Sequence, residues 1–224
     1  MFTLNIARCY VLVMTTSVQD VLLETLQSRQ LLSHPFYKRW EAGELHEGEL
    51  KLYAEQYRYF ERMLPEFLSK LAKILPNGRA KDLVQENLAD EVGPPSHIEL
   101  FQRFAMALGA DDAAISPAMS ALIGTYDDVL SRGVEWGLAG LLAYESQGAP
   151  IAVSKAEGLR RHYGVSEEDV TFWQLHGELE DNHANWTLDA LAELDPERET
   201  VREGVGLVAD AWWSFLDERE ALVS

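Results

Sequence analysis

His176, Glu180 and His183 occupy positions i, i+4 and i+7 of "WQLHGELEDNHANW" (residues 173–186), and in a helix that spacing stacks side chains on one face. Two imidazoles and a carboxylate on one face can share a metal ion. The zinc-protease pattern, two histidines four apart with Glu directly after the first, does not apply, because Gly177 follows His176. A chain with six histidines and 37 acidic residues also produces such a triple on a solvated helix by composition alone. Trp173, Leu175 and Leu179 weigh against the solvated reading, since apolar bulk in the same turns must pack against something.

A metal site inside a helical bundle draws ligands from several facing helices. Glu145 lies in "GLAGLLAYESQGAP" among Leu138, Leu141 and Leu142. Burying a lone carboxylate there is expensive, since roughly 2–7 kcal/mol applies even to a neutral polar group without a partner. A pair of cations removes that penalty. In "ENLADEVGPPSH" a helix ends in acids and His97 opens the next one across a Gly-Pro-Pro turn, so either Asp90 or Glu91 can take the inward position. Three carboxylates (Glu91, Glu145, Glu180) and three imidazoles (His97, His176, His183) are donors suited to two divalent ions, iron alone or iron with manganese. Two such ions bring four positive charges against three negative ones. The residual charge favours binding and reducing dioxygen as co-substrate, with electrons from an external reductant.

Apolar residues recur every three or four positions from about residue 17 onward, and no stretch shows strand alternation, so the fold is expected to be all-α. Ser17 with Asp20 reads as a helix-capping pair, and Ser33 as the cap of a short helix with Pro35 in its first turn. A long amphipathic helix is expected through Pro65, with a bend there, stopping at Pro76. Further helices are expected at "RAKDLVQENLADEV", "SHIELFQRFAMALG", "SPAMSALIGTYDDVLSR", "VEWGLAGLLAYESQ", "PIAVSKAEGLRRHYG" and 166–194, with a last one from about Pro196 to Leu222. Breaks are expected at residues 93–95, 109, 148–150 and 164, and loops that short make consecutive helices antiparallel neighbours in a single bundle.

The chain has 224 residues, enough for one core, and no repeat or linker divides it. Residues 1–16 are expected to be an N-terminal extension and 17–224 the folded domain, with Met14 a second candidate start. A net charge of −18 repels phosphate backbones and anionic lipid, so neither nucleic acid nor membrane is expected as a partner. The single cysteine, Cys9, excludes an intrachain disulfide and suits a cytoplasmic location.

The blocks "HPFYKRW", "LYAEQY", "ENLADEVGPPSHIELFQRFAMALG", "AYESQGAPIAVSKAEGLRRHYG" and "HGELEDNH", in that order, resemble the haem-oxygenase-like di-metal oxidases. Among them the chain is most similar to the CADD-like self-sacrificing para-aminobenzoate synthases, which make a folate precursor. The resemblance implies a haem-oxygenase-like helical bundle, a homodimer, and metal ligands at Glu91, His97, Glu145, His176, Glu180 and His183. It also implies that Tyr37 is excised as the para-aminobenzoate ring and that Lys155 supplies nitrogen, with Tyr53 and Tyr144 at aromatic positions near the site. Two departures matter: Glu180 stands where the family usually carries Asp, and the loop before His97 is one residue shorter, which leaves Glu91 against Asp90 open. The alternatives are a di-iron oxidase acting on a free small molecule and a cofactorless oxidase like the pyrroloquinoline-quinone synthases. Thiaminase-like hydrolysis would need a core cysteine, and Cys9 lies in the leader. An acidic bundle that only binds a partner protein is the non-enzymatic reading.

Overall fold

The computed structural model describes residues 17–222, so the expectations for residues 1–16, including Cys9 and Met14, lie outside the described residues. Within them run nine α-helices and one short 3-10 turn: α1 (Val18–Leu26), α2 (Pro35–Ala42), α3 (Glu47–Ile74), α4 (Arg79–Val92), α5 (His97–Ala107), α6 (Pro117–Arg132), α7 (Val134–His162), α8 (Glu167–Glu193) and α9 (Arg198–Ala221). No strand occurs among them, as the periodicity predicts.

The capping signals act where the sequence places them, with one shift. Ser17 and Asp20 exchange hydrogen bonds in a closed capping box: the Asp20 N–H donates to Ser17 Oγ and the Ser17 N–H to Asp20 Oδ2. Ser33, expected to cap α2, instead ends the 3-10 turn. The cap is His34, whose Nδ1 accepts the Phe36 N–H at 3.1 Å while Pro35 fills the first helical position.

Of the proline expectations, the stop before Pro76 holds and the break at Pro150 does not. α3 runs unbroken through Pro65, ending two residues before Pro76. The break expected at residues 148–150 is absent: α7 is one helix of 29 residues containing Pro150. Packing overrides local propensity here. α7 and α8 lie together along most of their length, and Gly148, Ala149 and Ala152 are all buried on α7. α9 starts at Arg198 and packs mainly on α7, α6 and α1, so the expectation of sequential neighbours holds for α3–α4 and α6–α7–α8 and fails between α5 and α6 and at the last helix. One apolar core spans the described helices, with Trp40, Tyr57, Phe60, Phe101, Trp173 and Trp212 essentially solvent-free within it.

Candidate metal centre

Helices α4, α5, α7 and α8 each deliver polar side chains into this apolar interior. Glu91, His97, Glu145, His176, Glu180 and His183 are all 5% exposed or less. Of Asp90 and Glu91, it is Glu91 that takes the inward position: its side chain is 1% exposed and that of Asp90 is 39% exposed. Glu91 lies between two imidazoles, with Oε2 at 2.9 Å from His97 Nδ1 and Oε1 at 3.7 Å from His183 Nδ1. The His97 and His176 rings approach to 4.5 Å, and donor atoms of Glu91, His97 and His176 all fall within 4.8 Å of one another. His176 Nε2 is 3.9 Å from Glu180 Oε1. Glu91, Glu145, Glu180 and His183 line one small cavity whose other walls include Phe60, Leu64, Tyr126 and Tyr144.

Gly148 makes room for one of these carboxylates. A Cβ at that position would sit 2.6 Å from Glu180 Oε2, so the extra methylene of Glu at 180 is accommodated against bare α7 backbone.

A hydrogen-bonded cluster would satisfy its own donors and acceptors, and this one does not. Both oxygens of Glu91, Oε2 of Glu145, Oε2 of Glu180 and Nδ1 of His97 are buried without a hydrogen-bond partner. His97 Nδ1 and Glu91 Oε2 are 2.9 Å apart yet out of hydrogen-bonding alignment, as expected of two donors directed at a common third position. Unpaired buried carboxylates are costly, and cations among them are the chemistry that fits.

Electrostatics follow from the burial. Desolvation pushes Glu145 up to about 7, opposed by hydrogen bonds from Thr187 and Asn87, and raises Glu180 well above the carboxylate range with help from neighbouring Glu145 and Glu91. Burial also holds His176 well below the usual imidazole value, with the His97 charge next, so its ring is neutral and keeps a lone pair to donate.

Tyr37 and Lys155 meet beside this cluster. Lys155, 1% exposed, donates from Nζ to the Tyr53 hydroxyl at 2.6 Å, and the Tyr53 and Tyr37 hydroxyls are 3.0 Å apart. Aromatic faces enclose the amine: Nζ is 3.9 Å from the Trp173 ring centre and 4.8 Å from those of Tyr37 and Tyr57. Burial drives the Lys155 amine far below its ordinary value and pushes the Tyr37 phenol up. Gly158 lets α2 approach, since a Cβ there would sit 2.8 Å from Trp40 Cδ1.

Sequence reasoning missed two polar residues. Asn87 donates to Glu145 Oε1 at 2.9 Å. Glu61 is 2% exposed with Oε2 unpartnered, raised by burial and by Glu91 and lowered by a Tyr57 hydrogen bond. Spacing carried both signals: Asn87 is one turn from Glu91, and Tyr53, Tyr57 and Glu61 repeat every four residues on α3.

The sequence profile of a family described as iron-containing redox enzyme matches residues 51–213. A protein named 4-aminobenzoate synthase from Nitrosomonas europaea is 34% identical over 86% of each chain. Another of that name, from Chlamydia pneumoniae, is 30% identical over 90% of this chain and 94% of its own. Among solved structures, a TenA homologue from Pseudomonas syringae pv. tomato superposes with a TM-score of 0.80 at 14% identity, covering 92% of this chain and 93% of the other, a likeness of fold.

Proposed function

This chain belongs to the iron-containing redox enzymes, and on that premise we propose that it makes para-aminobenzoate from its own Tyr37, with Lys155 as the nitrogen donor. Glu91, His97, Glu145, His176, Glu180 and His183 hold two divalent ions, iron or iron with manganese. Such ions, with dioxygen and an external reductant, supply the oxidising power.

The observation that carries the reading is the buried Lys155–Tyr53–Tyr37 hydrogen-bonded chain. Burial keeps Lys155 uncharged, so its nitrogen retains a lone pair while one N–H donates to Tyr53. The same lack of water keeps Tyr37 protonated, and the Tyr53 oxygen is within reach to take that proton when the phenol is oxidised. Trp40, Trp173 and Tyr57 exclude water from the amine. The relatives named 4-aminobenzoate synthase support the same product.

Mass spectrometry tests it. Reduced, iron-loaded protein exposed to oxygen is expected to lose mass at Tyr37 and release para-aminobenzoate, and Tyr37→Phe to release none while still taking up iron. Intact Tyr37 after turnover, with product formed from an added small molecule, overturns the self-sacrificing reading and leaves an oxidase of free substrates. Failure to take up iron or manganese removes the metal-centre reading altogether.

A further inference from the structure

Asp90 and Glu91 are adjacent in α4 and address opposite nitrogens of one imidazole. Glu91 Oε1 is 3.7 Å from His183 Nδ1, and Asp90 Oδ2 is 3.4 Å from His183 Nε2. A neutral imidazole carries its hydrogen on one nitrogen and offers a lone pair from the other, so whichever carboxylate accepts the N–H decides which nitrogen can bind a cation. The two acids differ in surroundings: Glu91 is enclosed with the other unpartnered donors, while Asp90 reaches water.

We propose that Asp90 is a positioning residue that accepts the Nε2 hydrogen of His183 and thereby presents Nδ1 to a cation beside Glu91. The proposal rests on the metal-centre reading. It gives the two histidines of α8 the same design by different means. His176 Nδ1 is 2.9 Å from the Phe172 carbonyl, which can only accept, so its Nε2 is left facing Glu180. In His183 the nitrogens exchange roles. No backbone carbonyl holds its far nitrogen, and Asp90, arriving from another helix, takes that place. The Trp186 ring, 5.6 Å from that of His183, packs against the imidazole and limits its rotation. Because Asp90 is solvated, water screens its charge, and its effect on the cation is exerted through the orientation of His183. Glu91 and the His97 ring, 6.1 Å away, also face His183, and Glu145 and Glu180 line the same cavity, all of them prospective ligands.

Zinc(II) serves as a diamagnetic probe of the full-length protein. In the zinc-loaded protein, proton–nitrogen correlation spectra are expected to show His183 with its hydrogen on Nε2, shifted downfield and slow to exchange. Asp90→Ala is expected to move that resonance upfield, speed its exchange with water, and weaken zinc binding about 10- to 100-fold in chelator competition. Asp90→Asn retains an oxygen acceptor and is expected to restore the slow exchange and most of the affinity. The metal-free variants are expected to fold as the parent does, since the Asp90 side chain is partly exposed. A hydrogen on Nδ1 of zinc-bound His183, or an unchanged resonance and affinity in Asp90→Ala, overturns the inference while leaving the metal centre standing. If the parent protein binds no zinc, iron or manganese, both fall together.

Discussion

Replacing Glu145 with Gln separates the cost of the buried charge from the benefit of the cation it holds. Glu145 is pushed up to about 7 from an ordinary 4.5 in the metal-free fold, chiefly by burial. An acid raised in this way binds a proton in the folded state that the unfolded chain has already released, so stability is lost as pH rises from 4.5 through 7. At 1.36 kcal/mol per unit the full penalty above pH 7 is about 3 kcal/mol. Gln has the same shape, keeps an oxygen for the Asn87 hydrogen bond and carries no charge. The metal-free Glu145→Gln protein is therefore expected to exceed the parent by less than about 1 kcal/mol at pH 5 and by about 3 kcal/mol at pH 8. The gain at pH 8 corresponds to a Tm higher by roughly 6–12 °C for a chain of this size. The pairwise difference is the quantity to follow, because His176, held low by burial, costs stability in the opposite sense as pH falls below 6.5. Adding iron(II) without oxygen should reverse the order, stabilising the parent more than the variant. Denaturant melts of chelator-treated protein at the two pH values provide the measurement. A variant advantage that is absent, or equal at pH 5 and pH 8, refutes the claim that Glu145 is a desolvated carboxylate awaiting a cation.

Three other substitutions address the remaining geometry. Lys155→Met keeps the volume inside the aromatic cage, so stability should change by less than about 1.5 kcal/mol while para-aminobenzoate release disappears, as read by calorimetry and chromatography. Gly148→Ala favours helix formation by up to about 1 kcal/mol but drives a methyl to 2.6 Å from Glu180 Oε2, so the prediction is a folded protein with lowered iron content by elemental analysis. Glu61→Gln removes a carboxyl that, when ionised, raises the Lys155 amine; nitrogen-15 titration of Lys155 should show its pKa unchanged or falling further, and a rise would contradict the assigned neighbourhood.

The periodicity that makes α8 a helix also sets His176, Glu180 and His183 on one face, so half of the donor set is legible within a single segment. Glu145 is legible for a different reason, a carboxylate in a run too apolar to leave it in water. What spacing cannot supply is which helices face each other. Asp90 and Glu91 both precede the Gly-Pro-Pro turn into His97, and the 39% against 1% exposure that separates them depends on which face α4 turns toward α8. Pro150 departs from its local signal for a related reason: a proline reads locally as a break, whereas packing of α7 along α8 holds the helix together across it. An acid on a long amphipathic helix is ordinarily solvated, so the four-residue repeat of Tyr53, Tyr57 and Glu61 marks a shared face without showing that the face is enclosed.

α7 bears both Glu145 and Lys155, ten residues and about 15 Å of helix rise apart, so one rod fixes the spacing between that carboxylate and the amine. Tyrosines fill that interval without a gap. Tyr144, which lines the carboxylate cavity, has its hydroxyl 2.6 Å from that of Tyr57; the Tyr57 ring stacks on Tyr53 at 5.4 Å; and Tyr53 touches both Tyr37 and Lys155. Among the described residues, the aromatic side chains of Phe60, Tyr126 and Tyr144 share the walls of the small cavity with the carboxylates. Enclosure of this kind serves a reaction whose organic reactant is already part of the fold, which is why the self-sacrificing reading accounts for the packing around Lys155 as well as for its chemistry.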